Sequence, residues 1–147
     1  LTEPDSGSDA VSIKTTAVRD GDFYIINGEK LPITVGMGAD VAMIMTKTDL
    51  HAGVKGVTNF WVPLDLPGVS RTHIIHGGWK PLAAASIVFD NVRVPAKYRL
   101  GEEGQGFSMG LGVTDFARVG LALMGLGTAQ ITLEETMDYV VQRKAFA

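Results

Sequence analysis

Two patterns of apolar and polar positions divide the chain. Between residues 11 and 95 the apolar residues come in short runs separated by turn residues. In VSIKTTAVRD (11–20) they roughly alternate with polar ones, and Asp20–Gly21 supplies the positive-φ position that a tight hairpin to FYIINGEK (23–30) needs. Asn27–Gly28 reads as a second turn of the same kind. ADVAMIMTKTD (39–49) reads as an apolar strand buried on both faces. HAGVKG (51–56) reads as a loop, and TNFWVPL (58–64) as a strand with Pro63 near its end, where proline is tolerated. GVSRTHII (68–75) and ASIVFDNVRVP (85–95) complete the set. Short strands with turns between them, and no helix-period segment, predict a small β-barrel or sandwich over residues 8–98.

The period changes after the loop GEEGQG (101–106). Phe107, Leu111, Val119, Leu123, Leu126, Leu133, Met137, Val140 and Val141 are spaced mostly by three, four or multiples of these. That spacing predicts a long helix over residues 106–142. Glycines at 110, 112, 120, 125 and 127 would weaken such a helix in isolation. They suit a face against which other helices pack closely, and the sequence offers no second helical segment. The fold expected is α+β: a small, mostly antiparallel β-barrel over 1–98, then over 99–147 a linker and one long helix that belongs to a helical bundle. The opening LTEPDSGSDA (1–10) gives neither a helix cap nor strand alternation. Its hydroxyls and carboxylates read as the rim of a binding site. With the partnerless helix, it predicts that the chain is the middle of a longer enzyme.

Composition narrows the function. The formal net charge is -3 with no basic tract, which argues against nucleic acid as the main partner. There are 0 cysteines, so disulfides and thiolate metal sites are excluded, and no metal is expected. The longest mostly apolar stretch, VGLALMGLGTA (119–129), falls short of the ~20 residues of a membrane span. No signal peptide is visible, and the chain is not expected to be secreted. No internal repeat is evident.

Four stretches, in order, resemble one family. LTEPDSGSD (1–9) resembles the acyl-CoA dehydrogenase signature: a hydrophobic residue, TEP, two variable residues, then GSD. NGEKLPIT (27–34) resembles its NGxKxWIT strand. IVFDNVRVP (87–95) followed by LGEEGQGF (100–107) resembles the segment that leaves the barrel, and QRKAF (142–146) resembles RxxFG, where the next long helix of that family begins. The resemblance implies an N-terminal helical domain, a middle β-barrel and a C-terminal four-helix bundle, with FAD as cofactor. It implies α,β-dehydrogenation of an acyl-CoA thioester, in which a carboxylate removes the α-proton and the β-hydrogen leaves as hydride to flavin N5. It further implies a homotetramer or homodimer, an electron acceptor such as an electron-transfer flavoprotein, and a bacterial cytoplasmic or mitochondrial matrix location.

The resemblance also implies site residues. Thr34, in the segment Pro32–Ile33–Thr34, falls where the family's hydroxyl meets the flavin near N5; a hydroxyl both donates and accepts, so it can follow the change at N5 on reduction. The plain alternative is a threonine chosen for strand propensity. Thr2 falls at the flavin pyrimidine edge, and Ser8 where flavin and CoA meet; the alternative is an ordinary polar turn. Asp115, Phe116, Ala117 and Arg118 fall along the acyl-CoA channel; the alternative is a surface ion pair between Asp115 and Arg118, three apart on one helix face. Arg143 lies 25 residues beyond Arg118, ~37 Å along a continuous helix, too far for one ligand in one subunit. The resemblance has Arg143, with Lys144, Ala145 and Phe146 beside it, reach the FAD pyrophosphate of a neighbouring subunit; the alternative is a solvated helix end.

Three positions depart from the family pattern. Pro32 stands where an indole is usual, Val35 where asparagine is common, and GWKPLAAAS (78–86) lacks the arginine and aspartate of the usual loop. The catalytic base is not placed: one branch of the family carries its glutamate where Ala117 stands, and Ala117 cannot take a proton. Glu102, Glu103, Glu134 and Glu135 read as surface charges. Pro32 leaves open a flavin-dependent oxidase or monooxygenase on the same fold, or a non-catalytic barrel module.

Overall fold

The computed structural model describes residues 1–146. Its contacts form two compact units, Leu1–Gly110 and a second that begins at Leu111.

The first unit is one seven-stranded sheet. Its strands are β1 (Thr16–Asp20), β2 (Phe23–Ile33), β3 (Val41–Lys47), β4 (Val57–Pro63), β5 (Val69–His73), β6 (Ala85–Pro95) and β7 (Arg99–Leu100), in the order β5-β6-β2-β1-β3-β4-β7. The pairings are antiparallel except between β1 and β3, which meet in parallel at Thr16 and Lys47. The sheet coils around its interior. The rings of Tyr24 on β2 and Phe60 on β4 sit 4.7 Å apart, although β1 and β3 separate those strands in the sheet. Ile26, Ile44, Phe60, Phe89, Val92 and Val94 belong to this one core. The expected α+β arrangement, a mostly antiparallel sheet followed by one long helix, is the one found.

The expected hairpin at Asp20–Gly21 forms, with Asp20 paired to Phe23 and Gly21 at φ 59°. The expected turn at Asn27–Gly28 does not. β2 runs straight through, and its register against β6 slips between Ile26 and Gly28. A Cβ on Gly28 would lie 2.5 Å from Thr15 Oγ1 and 2.7 Å from Thr15 Cα, so the glycine serves a bulge and a close backbone approach. β1 also starts later than the alternation from residue 11 suggests. The amides of Lys14 and Thr15 donate to the Glu3 carboxylate, at 2.5 and 3.0 Å, instead of to a neighbouring strand.

β3 is covered on both faces in its second half, as its apolar run predicts. Ile44 joins the interior core, and Met45 packs with Ile13, Val57, Leu1 and Phe107 on the other side. Gly110 allows that approach, since a Cβ there would lie 2.9 Å from Met45 Sδ. The loop after β7 is anchored by polar contacts. Tyr24 Oη donates to Glu103 Oε1, Arg99 Nη2 donates to Glu102 Oε2 at 2.8 Å, and the Gly104 amide donates to Thr58 Oγ1 at 3.1 Å. Asn59 Nδ2 donates to the Gly106 carbonyl at 2.9 Å. Glu103 is therefore more than a surface charge: burial and then its carboxylate push the Tyr24 hydroxyl pKa up.

The helix α1 spans Gly106–Gln142, the limits its spacing predicts. From Leu111 onward every described side chain is exposed except the half-buried Thr114. Phe116, Leu123, Leu126, Leu133 and Val141 are among the large apolar side chains left open. The apolar stretch is longer than residues 119–129: by length and composition this helix could cross a membrane, with a mean hydropathy of 1.3 in its most apolar part. Arg118 and Gln130 bound the shorter stretch, and single polar residues do not make the surrounding helix polar. Length and hydropathy do not separate a span from a helix buried inside a bundle.

Candidate functional site

The opening segment is organised around one carboxylate. Glu3 and Ser6 exchange backbone hydrogen bonds at 2.8 and 3.2 Å, and Ser6 Oγ donates to the Asp9 carbonyl at 2.6 Å. This tight turn holds Glu3 inside. Its Oε1 accepts from Lys30 Nζ at 2.7 Å, and the two side chains are 4% and 0% exposed. Burial alone pushes the Glu3 carboxyl up, but the Lys14 amide, Lys30 and Thr15 together outweigh it and hold the pKa below the usual carboxylate value. Burial pushes the Lys30 ammonium pKa down, and Glu3 offsets only part of that. This pair ties TEP to NGxK. The sequence reading gives neither residue a role; the available signal was one opposite charge in each of the two motifs.

The same contact brings sequence-predicted residues together. The Leu31 amide donates to the Thr2 carbonyl at 3.0 Å, so Thr2 lies beside the segment that continues into Pro32, Ile33 and Thr34. A Cβ on Gly7 would lie 3.9 Å from Thr2 Cγ2, which places the turn bearing Ser8 against Thr2. Thr2 and Ile33 are half-buried, while Ser8, Pro32 and Thr34 are exposed. Pro32 sits where the β2–β6 register is irregular between Lys30 and Ile33, so its missing N–H costs no ladder bond.

Beyond Thr34 the chain turns sharply. Val35 has φ 62°, a left-handed conformation that β-branched residues avoid. Its amide donates to the Leu82 carbonyl at 2.7 Å, and the Met37 amide to the Ala83 carbonyl at 3.1 Å. Trp79 and Ala83, in the loop so joined, are also left-handed, at φ 52° and 36°. Arg71 on β5 gathers the turn from the other side, its Nη1 donating to the carbonyls of Gly36, Met37 and Ala39 at 3.3, 3.2 and 2.9 Å.

The remaining candidates lie on the second unit. Arg118 Nη1 donates to Asp115 Oδ1 at 2.6 Å, and both side chains are about seven-tenths exposed. Phe116 is 86% exposed and Ala117 is open. The Arg143 amide continues the helical pattern onto Tyr139 O at 2.9 Å; Lys144 and Ala145 follow outside the helix, and Phe146 is exposed at φ 61°. Among the described residues no cluster of His, Asp and Glu could hold a metal ion.

Known proteins place this arrangement. Residues 1–92 match the family model for the acyl-CoA dehydrogenase middle domain. The chain is 42% identical over 147 residues to the caffeyl-CoA reductase–Etf complex subunit CarC of Acetobacterium woodii, covering 99% of this chain and 39% of that protein. It is 39% identical to the mitochondrial isobutyryl-CoA dehydrogenase of Dictyostelium discoideum, over 99% of this chain and 35% of that one. The solved acyl-CoA dehydrogenase of Geobacillus kaustophilus matches with a TM-score of 0.95 at 38% identity, over 99% of this chain and 39% of that one. The chain thus spans well under half the length of these relatives, and its helix is inside the matched region. The fold, the ordered motifs and these matches agree: the chain belongs to the acyl-CoA dehydrogenase family.

Proposed function

We propose that this chain is the flavin- and acyl-CoA-binding middle of an FAD-dependent enzyme that dehydrogenates acyl-CoA thioesters at the α,β bond, with a barrel over 1–98 and the first bundle helix within 99–147. The observation that carries this reading is the Leu31–Thr2 hydrogen bond, which joins two separate motif segments into one edge. The donor set of that edge fits an isoalloxazine ring. Thr2, Ser8 and Thr34 offer hydroxyls that donate or accept, and Pro32 and Ile33 offer an apolar surface. FAD bound there supplies the hydride acceptor for the β-hydrogen.

The chain's own residues then take up binding and orientation. Thr34 and Thr2 would hold the ring through their hydroxyls, and Ser8 would meet both ring and CoA. Asp115, Phe116, Ala117 and Arg118 line the acyl-CoA channel, with Arg118 Nη1 donating to Asp115 Oδ1. Arg143, with Lys144, Ala145 and Phe146, reaches the pyrophosphate held by a neighbouring subunit, because a planar fork matches phosphate oxygens. That role requires a homodimer or homotetramer. The proton-accepting carboxylate is not placed among these residues: at Ala117, where one branch of the family carries it, alanine cannot take a proton. Electrons pass on to an acceptor such as an electron-transfer flavoprotein, in a bacterial cytoplasm or a mitochondrial matrix.

The full-length polypeptide should purify yellow, and an acyl-CoA should bleach its flavin without oxygen. Protein that binds no FAD, or flavin that no acyl-CoA bleaches, sinks the proposal. Arg143→Ala should speed FAD release by about ten- to a hundredfold, the equivalent of the ~1.5–3 kcal/mol of a charge-assisted hydrogen bond. One observation favours a second reading, an oxidase: Pro32 is exposed where the family's indole would cover the ring. An indole covers about 150–250 Å². Fast reoxidation by O₂, slowed by Pro32→Trp, would decide for it.

A further inference from the structure

We propose that Glu3 and Lys30 act as a positioning pair that sets the spacing between the two halves of the flavin-contacting edge. The proposal rests on the flavin reading above. Lys30 Nζ donates to Glu3 Oε1 at 2.7 Å and to the Leu1 carbonyl at 3.3 Å. The next residue, Leu31, donates its amide to the Thr2 carbonyl at 3.0 Å. Leu1, Thr2 and Glu3 are therefore each tied to Lys30–Leu31, one contact per residue. Glu3 is itself fixed by the amides of Lys14 and Thr15. Thr2 lies at the centre of this clamp, and Pro32 to Thr34 continue directly from it.

An exposed ion pair could shift by an ångström at little cost. This one cannot, because either charge moved away from the other would be left buried and uncompensated. An apolar pair of similar volume would fill the same space, and such replacements are often neutral for stability. It would not fix direction. The ammonium must face one carboxylate oxygen and one carbonyl, which sets the register of residues 1–3 against β2. Neither side chain is placed to touch ring or substrate, so the pair acts through Thr2 and Leu31.

The test uses the full-length, FAD-loaded enzyme with Lys30→Met, Lys30→Arg and the double variant Glu3→Leu/Lys30→Met. The readouts are FAD release, the flavin absorption spectrum, the flavin midpoint potential and the thermal midpoint. Lys30→Met should release FAD at least tenfold faster and shift the spectrum or the potential, and Lys30→Arg should recover part of both. The apolar double variant should regain thermal stability but not the wild-type flavin properties. That separation marks positioning. If the double variant regains both, or if Lys30→Met lowers only the thermal midpoint, the pair is purely structural and the proposal fails. Should Lys30→Met not fold, the double variant carries the comparison alone. Wild-type protein without FAD sinks the flavin reading, and the pair's role with it; intact FAD binding with unaltered flavin in the variants sinks the pair's role only.

Discussion

Phe60 and Leu123 are both large apolar side chains in regular structure, and they have opposite surroundings. Phe60 is fully buried on β4, its ring 4.7 Å from that of Tyr24, whereas Leu123 on α1 is 63% exposed. The glycines divide in the same way. Gly28 and Gly56 press so closely on Thr15 and Asp49 that a Cβ would fall 2.5 and 1.9 Å from the nearest atom. A Cβ at Gly112, Gly120, Gly125 or Gly127 meets nothing within 4 Å. In the first unit the sequence pattern is explained by contacts inside the chain. In the second, apolar residues and glycines recur with nothing among the described residues to account for them, as expected of a helix made to be surrounded.

Truncating the two apolar side chains tests that contrast most strongly. In the 147-residue chain, Phe60→Ala should cost about 3–5 kcal/mol by urea denaturation, the usual loss for a buried aromatic ring. Leu123→Ala should move the same measurement by less than about 0.5 kcal/mol. If the proposed bundle covers the site in the full-length protein, the second change should rise there to about 2–5 kcal/mol. Equal losses in the 147-residue chain would break the comparison.

The glycines sharpen it through a change of sign. Gly28→Ala should destabilise the chain by about 1–3 kcal/mol, since φ is 145° and Thr15 stands in the way. Gly125→Ala should stabilise the isolated helix by about 1 kcal/mol. In the full-length protein it should destabilise instead, because a close-packed neighbour would meet the new methyl. A gain in both settings would mean that no helix approaches that face.

What could be read from the sequence follows the range of the forces involved. The limits of β6 and α1 are local, set by period and flanking turns, and they match the expectation. Asn27–Gly28 misleads because a turn and a bulge under Thr15 look alike until the distant strand is in place. The start of β1 misleads because Glu3, 11 and 12 residues away, takes the amides that a strand would otherwise use. In the candidate site, the motif segments that carry Thr2 and Thr34 were legible in the sequence. The buried Glu3–Lys30 pair was not, because a single charge in a sequence gives no sign that its partner lies 27 residues on.

Acid should act on the first unit through that same carboxylate. The Glu3 pKa is held below its ordinary 4.5, so below that pH the unfolded chain takes up a proton more readily than the folded one. The contribution is complete above pH 4.5 and is lost as pH falls through the lower, folded value. Urea midpoints followed from pH 7 down to about pH 3 should show this limb, and Glu3→Gln should flatten it. A limb of unchanged steepness in that variant would assign the acid sensitivity to other carboxylates.

Even the first unit is not satisfied everywhere, and the smallest expected effect lies where it is not. Val35 holds φ 62° immediately after Thr34, and left-handed backbone costs an ordinary residue about 1–2 kcal/mol. Asparagine, which the family resemblance favours at this position, tolerates that conformation because its short polar side chain bonds locally. Val35→Asn should therefore raise stability by about 1 kcal/mol, and Val35→Gly by less, since glycine also gives the unfolded chain more freedom. Calorimetry on the 147-residue chain reads both. A loss with asparagine would mean that the turn does not hold residue 35 left-handed. Stored strain at a binding edge also has a functional signature: if the Val35 turn is held for the cofactor, Val35→Asn should stabilise the full-length protein while weakening its grip on FAD. A variant that gains stability and keeps wild-type FAD affinity would make Val35 a tolerated flaw of this chain and nothing more.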